Sequence, residues 1–416
     1  MTPRVTRFGA LLLLLIFGLV ISLKEISPAS AKDKKKQVVF TKDIAPLIFH
    51  NCSSCHRAGQ VAPFSLLSYE DARKHSKEIV EMTTSRRMPP WKAKHDYVKF
   101  SGERRLSDAE IKTIKDWVQS GMEYGDDKDM PAVPKFADSW QLGTPDLILY
   151  MPESMTIPPD GPDFFRVFIL PVDLPEDKYI KAIDVMPSDR AVVHHTILSL
   201  DISGHLREMA KMMRQDMPGF SAPGRYLAGW APGGLVQPYP DGYARKLPKK
   251  SDLILETHFR PTGKVESEQT AVGLYFTDKP NQKETGDYLL FNNNIDLPPN
   301  EISHLKIDQV IDSDLTVFGI AGHAHYLCTE IEVHAILPNK KDIPLLWIPD
   351  WDFNWQEQYR YEKPVLLPKG TRVIADFTFD NTSKNFRNPS NPPVRVKFGP
   401  QSNDEMARVL LNTLGK

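Results

Sequence analysis

From Trp140 to the C-terminus, short apolar or alternating runs are cut again and again by Pro, Gly, Asn and Asp. The clearest runs are 165–170, 179–186, 191–200, 253–258, 271–277, 315–322, 330–337 and 371–379. Alternation with period two puts one set of side chains on one face of a sheet, and closely spaced turn residues leave no room for long helices. The 35 prolines act in the same direction, because proline is excluded from helix interiors and central strands. The pattern predicts antiparallel β-sandwiches, and roughly 275 residues suffice for two of them. They are expected, jelly-roll-like, at 140–284 and 285–416, with an internal helix around 204–216. No internal repeat is evident.

The residues before Trp140 have another texture. Arg4 and Arg7 precede an apolar run from Phe8 to Leu23, and Ala29-Ser30-Ala31 follows, so residues 1–31 read as a secretory signal peptide. The run is short for a membrane-spanning helix, and retention as an anchor is the alternative. Lys32 to Lys36 then reads as a solvated tail, and the product is expected to be exported, periplasmic or extracellular. Residues 126–139, with several Asp and Pro, read as an interdomain linker. A formal net charge of -1 gives no reason to expect a nucleic-acid partner.

Between signal and linker lies Cys52-Ser53-Ser54-Cys55-His56, the C-x-x-C-H attachment sequence for covalent haem c. Two thiols at this spacing can add to the two vinyl groups of one porphyrin, and His56 can ligate the iron. A structural zinc pair is the competing reading. For the second axial ligand Met88, in Arg86-Arg87-Met88-Pro89-Pro90, is preferred over Met82, His75 and His95, since a thioether raises the reduction potential of an electron carrier. Thr41 is expected to cap a first helix, 69–83 to form a second, and Ser107 and Glu110 to form a capping box on a third that ends near Gly121. Residues 38–125 resemble a small all-α class I cytochrome c domain. With two of the three cysteines so used, Cys328 is left as a buried small hydrophobe without a disulfide partner.

Only 12 histidines occur, yet five sit on or beside apolar runs of the β region: His194 and His195 adjacent, His258 at the end of 253–258, and His323 and His325 as H-x-H. Residues i and i+2 of a strand share a face, so two imidazoles at H-x-H spacing can converge on one ion. Neighbours point to opposite faces, so His194 and His195 can do so only where a bulge or strand end turns them, or where one binds through Nδ1 and the other through Nε2. Taken singly, each group is as well read as a satisfied core or surface histidine; together they point to metal. An open three-ligand site is also a zinc pattern. His205, His304 and His334 lack partners at ligand spacing and read as surface or core. Trp347, Trp351, Phe353 and Trp355 read as core, with Glu256 and Tyr326 beside the ligands.

Order and spacing here resemble the copper type II, ascorbate-dependent monooxygenases, the family of peptidylglycine α-hydroxylating and dopamine β-monooxygenases. The resemblance covers about 140–410. It implies one copper on His194, His195 and His258 and a second on His323, His325 and Met406, the Met lying in Ser402-Asn403-Asp404-Glu405-Met406. Three imidazoles suit a copper that changes oxidation state, and two imidazoles with a thioether favour Cu(I). Ala321, Arg408 and Leu410 stand where the peptide-hydroxylating members have groups that hold the substrate carboxylate, so a peptide substrate does not follow. The family's disulfides are impossible with these cysteines. The function implied is an O2-dependent oxidoreductase that hydroxylates a C–H bond of a small molecule or peptide, with the haem as electron donor or relay and an external, ascorbate-like reductant. The alternative is a non-enzymatic exported electron-transfer or copper-binding protein.

Overall fold

The computed structural model describes residues 37–60, 62–136, 140–207, 224–278 and 283–415. The signal peptide, the lysine tail and most of the helix expected at 204–216 lie outside them. All eight runs named above are strands. Phe164–Val172, Ser251–Phe259, Val193–Asp201 and Arg225–Trp230 form one four-stranded sheet in that order. Ile302–Val310, Arg372–Asp380, Cys328–Ile336 and Asp342–Ile348 form a second. An eight-stranded sheet backs both. Its first half is Leu147–Tyr150, Ala271–Phe276, Lys178–Met186 and Tyr243–Leu247; its second half is Lys283–Phe291, Arg408–Leu414, Leu315–His323 and Tyr359–Leu367. The halves join through a parallel pairing of Lys283 with Tyr243 and Glu284 with Ala244.

Each sandwich buries the apolar face of its strands. Val193, Leu198, Leu253, Leu255 and Phe259 lie in the first core, and Ile320, Ile331, Val333, Phe377 and Leu411 in the second. Each such side chain contributes roughly 1.5–3 kcal/mol on burial. No helix among the described residues is long and apolar enough to cross a membrane.

The expected multidomain chain headed by a small all-α cytochrome c domain is not what forms. The fold is mainly β, residues Val38–Lys416 make one compact unit, and the N-terminal helices are short: Ala45–Asn51, Tyr69–Lys74, Ser76–Thr84 and Asp108–Gln119. They bury Phe40, Ile44, Ile48, Ile114 and Trp117 together. Residues 89–105, however, leave that cluster. Pro89 and Pro90 disfavour helix, and the chain runs along the second sandwich instead. Trp91, Ala93, Val98 and Phe100 pack into the sandwich core, Phe100 bridges to Tyr361, and Ser101 N donates to Arg360 O at 2.7 Å.

Two helix details also differ. Thr41 caps nothing; it is buried, its hydroxyl lacks a partner, and Val39 N donates to Asp43 instead. The 69–83 helix breaks at His75, whose ψ of 13° is not helical. The capping box forms as expected, Glu110 N donating to Ser107 Oγ and Ser107 N to Glu110.

Candidate metal centre

The strand Val193–Asp201 pairs Val193 with Phe259 and His195 with His258, so His194 is an extra residue in the ladder. This bulge turns adjacent side chains to one side, which a regular strand forbids. The His194, His195 and His258 rings lie 4.7–5.2 Å apart, centroid to centroid. One ligand atom from each comes within 4.8 Å of the others. His258 is 0% exposed. Its Nδ1 meets no hydrogen-bond partner, and its Nε2 has only the Asp163 carboxylate at 3.3 Å. Its ring stacks on Phe165 at 4.2 Å. Buried polar atoms are nearly always satisfied, so an orphaned imidazole facing two others fits a metal ligand. The triad can hold a metal ion.

Burial above all, then His258, lowers His194 to about 4; the same causes hold His195 well below its ordinary value. His194 and His195 are thus neutral at neutral pH, with lone pairs available. For the metal-free chain, histidines that stay neutral in the fold but charge at about 6.5 when unfolded contribute stability present above pH 6.5 and lost as pH falls toward 4. The thermal midpoint of the apo protein is therefore expected to drop between pH 6.5 and 4, and a midpoint unchanged across that window would contradict this burial.

His323 ends the strand Leu315–His323, and His325 lies just beyond it. Their rings are 5.2 Å apart at 86°. His323 Nδ1 lies 2.7 Å from Gln356 Oε1, and His325 Nδ1 lies 3.0 Å from the Asp404 carbonyl. With Nδ1 as the donor in each, both Nε2 lone pairs are free to ligate. Burial lowers His323 to about 4 and His325 to about 3. The neighbouring strand pairs Arg408 with His323 where both strands end, and Met406 lies two residues before Arg408. Met406, His323, His325 and His195 line one cavity of about 790 Å³.

Glu405 secures this corner. It is fully buried, and its carboxylate accepts from His325 N at 2.8 Å, Leu327 N at 2.7 Å and Met406 N at 3.1 Å. Burial pushes its carboxyl up to about 8, against the pull of these donors.

The loop 353–356 joins the two histidine groups. Phe353 is 5.1 Å from His194 and 5.4 Å from His325, centroid to centroid, so those imidazoles are no farther apart than the sum of the two. Asn354 Oδ1 lies 3.1 Å from His194 Nε2. Phe353 is thus not only core, as expected from sequence, but the wall between two imidazole groups. Trp351 is core and donates its Nε1–H to the His325 carbonyl; Trp355 lines the cavity. Tyr326 donates to Asp163 at 3.3 Å, and Glu256 lines the cavity. His334 pairs with Asp342, and His304 lies by Thr378. Sequence reasoning missed Asp163, Asn354 and Gln356, whose only signal is proximity in space, and gave Glu405 no role.

The C-x-x-C-H turn lies against this loop. A Cβ placed on Gly233 (φ +79°) would stand 2.9 Å from the Trp355 ring and 3.4 Å from Cys55 Sγ. Cys52 and Cys55 are unpaired, and burial, then Cys55, pushes the Cys52 thiol up to about 12. His56 Nδ1 is 3.2 Å from the Phe64 carbonyl, leaving Nε2 open. Met88 is 37% exposed, beside a small recess whose wall includes none of Cys52, Cys55 and His56. Of its rivals, His95 pairs with Glu103, whereas His75 stacks on Phe64, the ring that His56 also packs against. Cys328 is buried, its thiol donating to Glu330 O.

No family model matches the chain, and no curated protein matches it. Among solved structures it is similar to PNGF-II, at 10% identity over 64% of this chain and 65% of that one, with a TM-score of 0.25. It is also similar to PBCV-1 VP54 (8% identity, 68% of this chain and 95% of that one, TM-score 0.23) and to an oxalate decarboxylase mutant of Bacillus subtilis (6% identity, 70% and 80%, TM-score 0.14). These likenesses carry no statement about function.

Proposed function

We propose that the chain is an exported, copper-dependent monooxygenase that hydroxylates a C–H bond, with a covalent haem as its electron donor or relay. One observation carries the reading: two imidazole groups, of three and of two histidines, flank a single aromatic ring on the wall of one cavity. The donor sets favour copper over zinc, since a zinc site has no use for a thioether beside a second histidine group. Bound at His194, His195 and His258 and at His323, His325 and Met406, copper supplies the one-electron steps and the oxygen chemistry that insertion of an oxygen atom requires.

The chain's own residues do the rest. Asn354, Gln356 and the Asp404 carbonyl fix the rings of His194, His323 and His325. Phe353 and Phe165 pack against the triad's rings. Glu405 clamps the H-x-H turn to the Met406 segment. The Cys52 and Cys55 thiols and the open Nε2 of His56 suit a covalent haem, whose reductant would be external.

Metal analysis of the exported protein is expected to give about two copper and about one iron per chain. Met406→Ala is expected to abolish substrate-dependent oxygen uptake while the haem spectrum persists and about one copper remains. Absence of such uptake across a broad substrate panel, with both metals loaded, would favour the electron-transfer alternative.

A further inference from the structure

Four of the five site histidines, His194, His195, His258 and His325, are buried, so an electron arriving through the C-x-x-C-H turn has to cross protein to reach them. Trp355 lies on a short crossing. On one side its indole faces Cys55. The ring edge and the Cys55 sulfur come within 2.9 and 3.4 Å of one point, the place that a Cβ on Gly233 would occupy. Glycine, here at φ +79°, leaves that point empty and lets the two approach; any side chain would press into the ring. On the other side, the residues flanking Trp355 in the chain touch both histidine groups. Asn354 Oδ1 lies 3.1 Å from His194 Nε2, and Gln356 Oε1 lies 2.7 Å from His323 Nδ1. Phe353, two residues back, packs its ring against His194 and His325.

The indole is held on every side. Its Nε1–H donates to Glu357 at 3.3 Å, and the Arg104 guanidinium lies 5.5 Å from its centroid. Arg104 in turn donates to the Gly233 carbonyl at 2.8 Å and to Glu357 at 2.5 Å. Three stretches far apart in sequence, at 104, 233 and 355–357, therefore clamp one ring against the haem motif. The clamp fixes the ring's orientation as well as its position.

We propose that Trp355 is the electron-transfer contact between a haem attached at Cys55 and the two histidine groups. The inference rests on the proposed haem and copper. Once bonded to a vinyl carbon, the Cys55 sulfur belongs to the haem periphery, so a ring beside that sulfur is beside the haem. Each passage moves one electron: iron goes from ferrous to ferric, one cupric ion becomes cuprous, and an external one-electron reductant returns the iron to ferrous. No bond forms or breaks at Trp355 and no proton leaves it. Its π-system bridges a gap that a smaller side chain would leave open.

The test uses the exported holoprotein, without oxygen or substrate, so that electron transfer is separated from turnover. A photochemical pulse reduces the haem, and the decay of its ferrous band is followed as cupric ion takes the electron. Trp355→Leu is expected to slow that decay about ten-fold or more, ~1.4 kcal/mol in the barrier, while haem spectrum, haem potential and copper content stay those of wild type. Gly233→Ala, whose Cβ intrudes on the ring, is expected to slow it too, and serves if Trp355→Leu does not fold. Trp347→Leu, on a strand of the second sandwich beside Lys94 and Glu330, is expected to leave the rate unchanged. The proposal is overturned if copper does not oxidise the ferrous haem of wild type, if a folded Trp355→Leu keeps the wild-type rate, or if Trp347→Leu is slowed as much. A wild-type chain that takes up no haem or no copper sinks the proposed function, and this inference with it; an unslowed Trp355→Leu with both metals bound sinks this inference alone.

Discussion

Glu405→Ala is expected to be the most destabilising single substitution near the site, by about 3 kcal/mol or more. The carboxylate is the acceptor for three backbone donors, on His325, Leu327 and Met406, in a corner with no water access. An unsatisfied buried donor costs about 1–3 kcal/mol, and three are orphaned at once. The effect is not only on stability, because the same bonds set the H-x-H turn against the Met406 segment. Glu405→Gln keeps one acceptor oxygen and is expected to lose roughly half as much. Denaturant unfolding of the metal-free protein checks both. A Glu405→Ala protein within about 1 kcal/mol of wild type would mean that the carboxylate holds nothing together.

The second large effect is on metal. His258→Ala is expected to weaken metal binding at the triad more than a hundred-fold, since loss of a residue that merely orients a ligand already costs about 10–100-fold. Wild-type protein should rise in thermal midpoint on adding copper, because a ligand that binds only the folded state stabilises it. His258→Ala should lose that part of the rise. His334→Ala, on the far sheet beside Asp342, should keep it. If the His258 variant binds copper as tightly as wild type, the triad is not a metal site.

What the sequence disclosed, and what it hid, follows the range of the interactions. The Ser107–Glu110 capping box spans a single helical turn, and it formed as read. The eight apolar runs carry their own alternation, and they are strands. The histidine pair was legible, and a bulge as one way to turn it, but not that the bulge forms: His194 is extra only relative to a partner strand more than sixty residues away. The N-terminal region went wrong for the same reason. Trp91 and Phe100 are as apolar as any helix core residue, and nothing nearby says that they belong with Tyr359 and Tyr361. Phe353 read as core because burial is all its composition reveals; that its ring faces five side chains of the site is a fact of tertiary placement.

The pairing of Lys283 and Glu284 with Tyr243 and Ala244 makes the backing sheet uninterrupted from one sandwich to the other. Swinging the halves apart would tear main-chain bonds out of a ladder. The span between the two histidine groups is therefore a fixed length, and under the proposed function an electron passing between them would meet the same barrier each time.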